Sequence, residues 1–292
     1  MRVIQISDLH IPDFESVHPR DFFNKRMTGG LNLLTKRRGA HPPELAERLV
    51  EDITNQHVDH VVVTGDVTNL SLPGEFQRAS RLLRILGGYE HVTVIPGNHD
   101  VYTQGAAEQK RFESYFGHLL FGEGKGWEDW TFPAVKRVGD MLIIALSSAI
   151  ATPPFMAYGR VGEDQLNRLP ALLEQHPKGL FRMALVHHNL HRRRSRFAEA
   201  TAALQDRDAV VARLSMLDVD LVLHGHTHVA HRFSITRGEH TMLVVGSGSS
   251  TWDSGNPSHA ARYNVYEIVE GQLERIRTRV YDQQRRRFEW MM

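Results

Sequence analysis

Six short apolar runs set the terms for this chain: Val3 to Ile6, His60 to Val63, Val92 to Ile95, Met141 to Leu146, Met183 to Val186 and Leu221 to Leu223. Each is β-branched or leucine-rich and ends in a polar or glycine-containing loop, the pattern of a strand buried on both faces. Segments of helical period lie between them, at Glu44 to Gln56, Gly74 to Leu86, Ala106 to Phe116, Glu163 to Glu174 and Asp208 to Leu217. Pro42 and Pro43 sit where a helix can start, and Gly87-Gly88 where one should stop. Repeated strand–helix–strand units predict a largely parallel sheet layered with helices. From about Thr241 the pattern changes. Met242 to Val245, Tyr263 to Val269 and Leu273 to Val280 read as consecutive strands, which predicts an antiparallel second sheet. No internal repeat or low-complexity linker divides residues 1–292, so one domain is expected.

Polar clusters fall where these strands end: Asp8-Leu9-His10, Gly65-Asp66, Gly97-Asn98-His99-Asp100, His187-His188-Asn189 and Gly225-His226-Thr227-His228. In an open α/β sheet, ligands bind outside the carboxyl ends of strands, so clusters separated by more than 200 residues can converge. Eighteen His and no Cys make imidazole and carboxylate the available ligands, a set suited to Mn, Fe, Co or Zn rather than to thiolate sites. Asp-x-His or Gly-Asp alone is expected by chance, whereas Gly-Asn-His-Asp should arise by accident only about two or three times in a thousand such chains.

The order Asp8-x-His10, Gly65-Asp66-x-x-Asn69, Gly97-Asn98-His99-Asp100, His187 and Gly225-His226-x-His228 resembles the calcineurin-like metallophosphoesterases, with no ligand position substituted. The resemblance implies a four-layered α/β/β/α sandwich of two mixed sheets flanked by helices. It implies Asp8, His10, Asp66 and His228 on one divalent ion and Asp66, Asn98, His187 and His226 on a second, with Asp66 shared. His188 is the alternative to His187, which is preferred because it directly ends the apolar run. Two such ions about 3.5–4 Å apart can bind a bridging hydroxide and offset phosphoryl charge during in-line attack. His99 is then expected to stabilise the phosphoryl group or protonate the leaving oxygen, with Asp100 orienting it and Asn69 supporting the ligands from behind. A scaffold that keeps the fold without the catalysis has no chemical need for this complete set.

Substrate choice is expected to rest on two further segments. The insertion from Phe14 to His41 interleaves apolar residues such as Phe22, Phe23 and Leu31 with Lys25, Arg26, Lys36, Arg37 and Arg38. It reads as a cap over the site or as a contact for anionic membrane. Arg192, Arg193, Arg194 and Arg196 follow His187 and can fork onto a phosphate beyond the reacting one. The compact chain and His-rich ligand set resemble bacterial small-molecule phosphodiesterases. The basic–apolar insertion points towards UDP-2,3-diacylglucosamine-type lipid pyrophosphatases, and a soluble cyclic nucleotide or glycerophosphodiester is the alternative. A formal net charge of +1 and no basic stripe argue against a nucleic-acid partner. No apolar run reaches a membrane span, and a strand opens the chain, so a cytoplasmic protein is expected, at most peripheral to the inner face of the membrane.

Overall fold

The strand Met141–Ala145 explains the layering: Met141, Ile143 and Ala145 belong to one buried cluster, and Leu142 and Ile144 to another. A strand with apolar residues on both faces must lie between two packed layers. In the computed structural model, which describes residues 1–13, 40–122, 130–193, 195–253 and 259–291, it does. The strands are β1 (Arg2–Ile6), β2 (His60–Val63), β3 (Val92–Val94), β4 (Ala134–Val138), β5 (Met141–Ala145), β6 (Phe181–Leu185), β7 (Leu221–His224), β8 (Ala230–Arg237), β9 (His240–Ser247), β10 (Arg262–Val269), β11 (Gln272–Asp282) and β12 (Arg287–Trp290). They form two six-stranded mixed sheets, ordered β12-β11-β10-β1-β2-β3 and β4-β5-β6-β7-β9-β8.

The helices are α1 (Pro43–Thr54), α2 (Pro73–Leu86), α3 (Gln104–Glu108), α4 (Arg111–Phe116), α5 (His118–Phe121), α6 (Glu163–Leu173), α7 (Arg196–Ala202) and α8 (Arg207–Met216). Leu49 of α1, Phe76 of α2 and Phe116 of α4 share a core with β1, β2, β3 and the near face of the second sheet. Leu166 and Leu169 of α6 and Val210 and Leu214 of α8 cover the far face through Leu142, Ile144, Ala184 and Val222. The order helices, sheet, sheet, helices is the four-layered arrangement expected.

Local chemistry accounts for the boundaries. α1 and α2 each begin with proline at the first helical position, where the missing N–H costs nothing. The Glu75 carboxylate, one turn into α2, accepts the N–H groups of Leu70 and Leu72 at 2.8 and 3.0 Å. The helix expected over 106–116 is interrupted. Lys110 adopts φ 44°, a left-handed conformation that ends α3 and starts α4.

The antiparallel second sheet expected after Thr241 is corrected as well. β9 joins β7 in parallel within the second sheet, whereas β10 pairs antiparallel with β1 and carries β11 and β12 onto the first. Strand periodicity identifies a strand but not its partner. Of the insertion expected at 14–41, residues 14–39 lie outside the described residues.

Candidate metal centre

Asp8, His10, Asp66, Asn98, His187, His226 and His228 lie together at the carboxyl ends of β1, β2, β3, β6 and β7, drawn from both sheets. The loops after β1 and β2 stay zipped beyond the strands: the Asp8 N–H donates to the Gly65 carbonyl at 3.0 Å and the His10 N–H to the Asp66 carbonyl at 2.9 Å. Asp8, His10, Asp66, His226 and His228 all have positive φ, between 42° and 66°. Five of seven candidate ligands in a region that non-glycine residues avoid is strain of about 1–3 kcal/mol each, of the kind that gathers at functional sites. Gly97 permits the packing, because a Cβ there would lie 2.2 Å from Asp66 Oδ1.

Two groups of ligand atoms result, each within 4.8 Å: Asp8, His10, Asp66 and His228, and Asp66, His187 and His226. Asp66 belongs to both. Its Oδ2 lies 3.8 Å from His10 Nε2 and 3.3 Å from His187 Nε2. Asn98 Oδ1 completes the second group, 3.1 Å from His187 Nε2 and 2.9 Å from His226 Nδ1.

Second partners decide which atoms point inward. His187 Nδ1 donates to the Thr64 carbonyl at 2.8 Å, and His226 Nε2 to the Ala202 carbonyl at 2.9 Å. His226 Nδ1 therefore meets Asn98 Oδ1 as an acceptor facing an acceptor, and His187 Nε2 does so whenever it gives up its second proton. In the first group His10 Nε2 and His228 Nε2 approach to 3.0 Å, and His10 Nδ1 is buried without a hydrogen-bond partner among the described residues. Imidazole nitrogens converging with an amide oxygen and carboxylates fit a cation, and this donor set suits borderline divalent ions.

The electrostatics agree. Burial alone would lower His187, but Asp66 beside it, helped by Asp8, carries it up to about 9. Asp66 runs against the cost of its own burial, and His187 and His99 hold it well below the usual carboxylate range. Burial, and then the neighbouring imidazoles, push His10 and His226 well below 6.5. Without metal, the pocket draws a proton onto His187; with neutral His10 and His226 it offers lone pairs.

Geometry distinguishes His187 from His188. Although both are buried, His188 Nδ1 bonds to Ser148 Oγ at 2.7 Å and its Nε2 to the Ala157 carbonyl at 3.0 Å, so it has no nitrogen left for the centre.

Asp100 requires a correction. Its buried carboxylate accepts the N–H groups of Val67, Thr68 and Gly97 and the Thr68 hydroxyl, so it joins the loops after β2 and β3 rather than orienting His99. Burial, then Asp66, pushes its pKa up to about 6. His99 is held instead by the backbone carbonyl of Asn69, which its Nδ1 reaches at 2.6 Å, while its ring stacks on Tyr102 and stands edge-on to His10 at 4.7 Å. Asn69, expected as a supporting residue, contributes its main-chain carbonyl to His99.

Of the four arginines, Arg192 and Arg196 are exposed and Arg194 lies outside the described residues. Arg193 is half-buried and close enough to His226 and His188 to help depress both. One site residue was missed. The buried ring of His41 lies 4.8 Å from His10 and 6.2 Å from His228, with its Nδ1 on Thr251 Oγ1. It belongs to no motif, and only the folded chain brings it here.

A family profile described as calcineurin-like phosphoesterase matches residues 1–230. No curated protein matches the sequence at a significant level. Among solved structures, a dimetal phosphatase from Danio rerio is 15% identical, with a TM-score of 0.61 over 95% of this chain and 94% of that one. Purple acid phosphatase PPD1 from yellow lupin (Lupinus luteus) seeds is 12% identical, with a TM-score of 0.58 over 97% of this chain and 54% of that one. At these identities the likeness is one of fold. Among the described residues no helix is long and apolar enough to cross a membrane.

Proposed function

The chain belongs to the calcineurin-like phosphoesterase family, and from that premise we propose a dinuclear metal-dependent hydrolase that cleaves a phosphodiester or phosphoanhydride bond. The observation that carries the reading is the position of Asp66, a single buried carboxylate common to both ligand groups. Asp8, His10, Asp66 and His228 would hold one divalent ion, and Asp66, Asn98, His187 and His226 the other. When bound, such ions acidify water and offset the negative charge of a phosphoryl group.

The remaining chemistry belongs to the side chains. The carbonyl of Asn69 keeps the proton on His99 Nδ1, so Nε2 is the atom that exchanges a proton or hydrogen-bonds with the phosphoryl or leaving oxygen. Tyr102 and His10 fix the plane of that ring. Thr64 and Ala202 hold His187 and His226 in the tautomers that aim lone pairs inward. Arg193 borders the centre and would take a non-reacting phosphate or ester oxygen of an anionic substrate.

Reaction class is tested directly. With Mn²⁺ supplied, bis(p-nitrophenyl) phosphate is expected to be cleaved at least as fast as p-nitrophenyl phosphate. The support for a diester is the likeness of the compact chain and ligand set to small-molecule phosphodiesterases. A strong monoester preference across several metals would place the protein with the phosphatases instead.

A further inference from the structure

We propose that His191, His224 and His231 form a third, mononuclear metal site for a borderline divalent ion such as Zn²⁺, separate from the Asp66-centred pair. One ligand atom from each of the three lies within 4.8 Å of the others, and none of the three belongs to the dinuclear set.

The tautomers carry the argument. His224 Nδ1 lies 3.0 Å from the Gly225 carbonyl and His231 Nδ1 3.1 Å from the Val229 carbonyl. A carbonyl oxygen only accepts, so both Nδ1 atoms carry the proton and both Nε2 atoms present lone pairs. Those two Nε2 atoms face each other at 3.0 Å. Two lone pairs so close repel unless a cation joins them. Zn–N bonds of about 2.0–2.1 Å at near-tetrahedral angles place two imidazole nitrogens roughly 3–3.4 Å apart.

A proton is a poor alternative to the metal, since burial lowers His231 below 6.5 and favours its neutral ring. Each Nδ1–H on a backbone carbonyl is also the arrangement that orients ligating histidines. The same pairing of Nε2 atoms at 3.0 Å occurs between His10 and His228 in the dinuclear centre.

The third residue adds an orphaned atom. His191 Nδ1 is buried and has no hydrogen-bond partner among the described residues. Its ring lies 4.2 Å from that of His231 and 6.0 Å from that of His224. Burial first, then His231, Arg193 and Arg207, hold it down to about 4, so it too is neutral near pH 7. Backbone space is reserved for the cluster: a Cβ on Gly246 would meet His231 Cε1 at 2.7 Å and His224 Cε1 at 2.9 Å. Three imidazoles with a fourth position left to water are a known ligand count for zinc. His191 follows His187 by four residues, His224 precedes His226 by two and His231 follows His228 by three. An ion here would therefore tie together the loops that carry three of the dinuclear ligands.

The test uses full-length protein freed of any purification tag, stripped with chelator, reloaded with Zn²⁺ or Co²⁺ and desalted. The parent should retain three ions per chain. His231→Gln should retain two and hydrolyse bis(p-nitrophenyl) phosphate within about twofold of the parent. Asp66→Ala should retain one, and with Co²⁺ it should show the intense d–d bands of four-coordinate cobalt, which Asp66→Ala combined with His231→Gln lacks. Because Asp66→Ala reads the third site alone, the outcome does not depend on the two-metal reading. If His231→Gln unfolds by circular dichroism, His191→Gln makes the same comparison. A folded Asp66→Ala that retains no ion, or a His231→Gln and His191→Gln pair that both retain as many ions as the parent, overturns the proposal.

Discussion

Asp66→Ala is expected to bind neither ion of the dinuclear pair and to lose hydrolysis to background. The reason is one of sharing. Loss of a group that merely supports a metal ligand costs about 10–100-fold, but Asp66 contributes to both ligand groups and also accepts the His99 N–H at 2.8 Å. Its removal dismantles two sites and loosens the loop that carries His99.

A second readout follows in metal-free protein. His187 has a folded pKa raised to about 9 against an ordinary 6.5, chiefly through Asp66 acting against burial. A raised pKa stabilises the fold fully below pH 6.5, and that stabilisation is lost as pH rises through about 9. The thermal midpoint of the chelated parent should therefore fall across this window, and that of Asp66→Ala should fall less. Asp66→Asn, closer in shape, guards against a trivial folding defect. Full activity in either variant would remove Asp66 from its assigned place.

His99→Ala should behave in the opposite way, retaining both ions while turnover falls on the order of 10²–10⁴. His99 is in neither ligand group, yet its ring stands edge-on to His10 and is only partly buried between buried Asn98 and Asp100. A group placed beside the ligands but not among them can act on substrate without holding metal. Metal content measured beside kcat separates the roles. Loss of an ion would make His99 a ligand, and turnover at the parent rate would leave it without a catalytic part.

The candidate centre was largely legible in the sequence because its chemistry is local to strand ends. An apolar run buried on both faces ends where the layer ends, so Asp8, Asp66, Asn98, His187 and His226 are delivered to one edge whatever the loops do. Side-chain direction was less legible. Asp100 follows His99 in sequence and was expected to orient it, but its carboxylate turns to three backbone N–H groups instead.

Strand partners were not legible either. The alternation in Tyr263 to Val269 fits any sheet edge, and pairing with β1 closes a separation of about 260 residues that periodicity cannot encode. β4 was missed because it carries Lys136, an unusual residue for a buried strand. Its ammonium is accommodated by the Val92 and Leu119 carbonyls, at 2.9 and 3.1 Å, and by that of Tyr89. β8, Ala230–Arg237, alternates between partly and fully exposed residues and resembles a polar loop. His191, His224 and His231 carry no spacing signature and become a cluster only once β6, β7 and β8 are assembled.

The most direct test of the central claim is hydrolysis of bis(p-nitrophenyl) phosphate by protein shown to be metal-free by elemental analysis. Chelation should reduce the rate to background, and Mn²⁺ added back should restore it as the two ions of the Asp66 centre bind. Hydrolysis undiminished in verified metal-free protein would contradict the account.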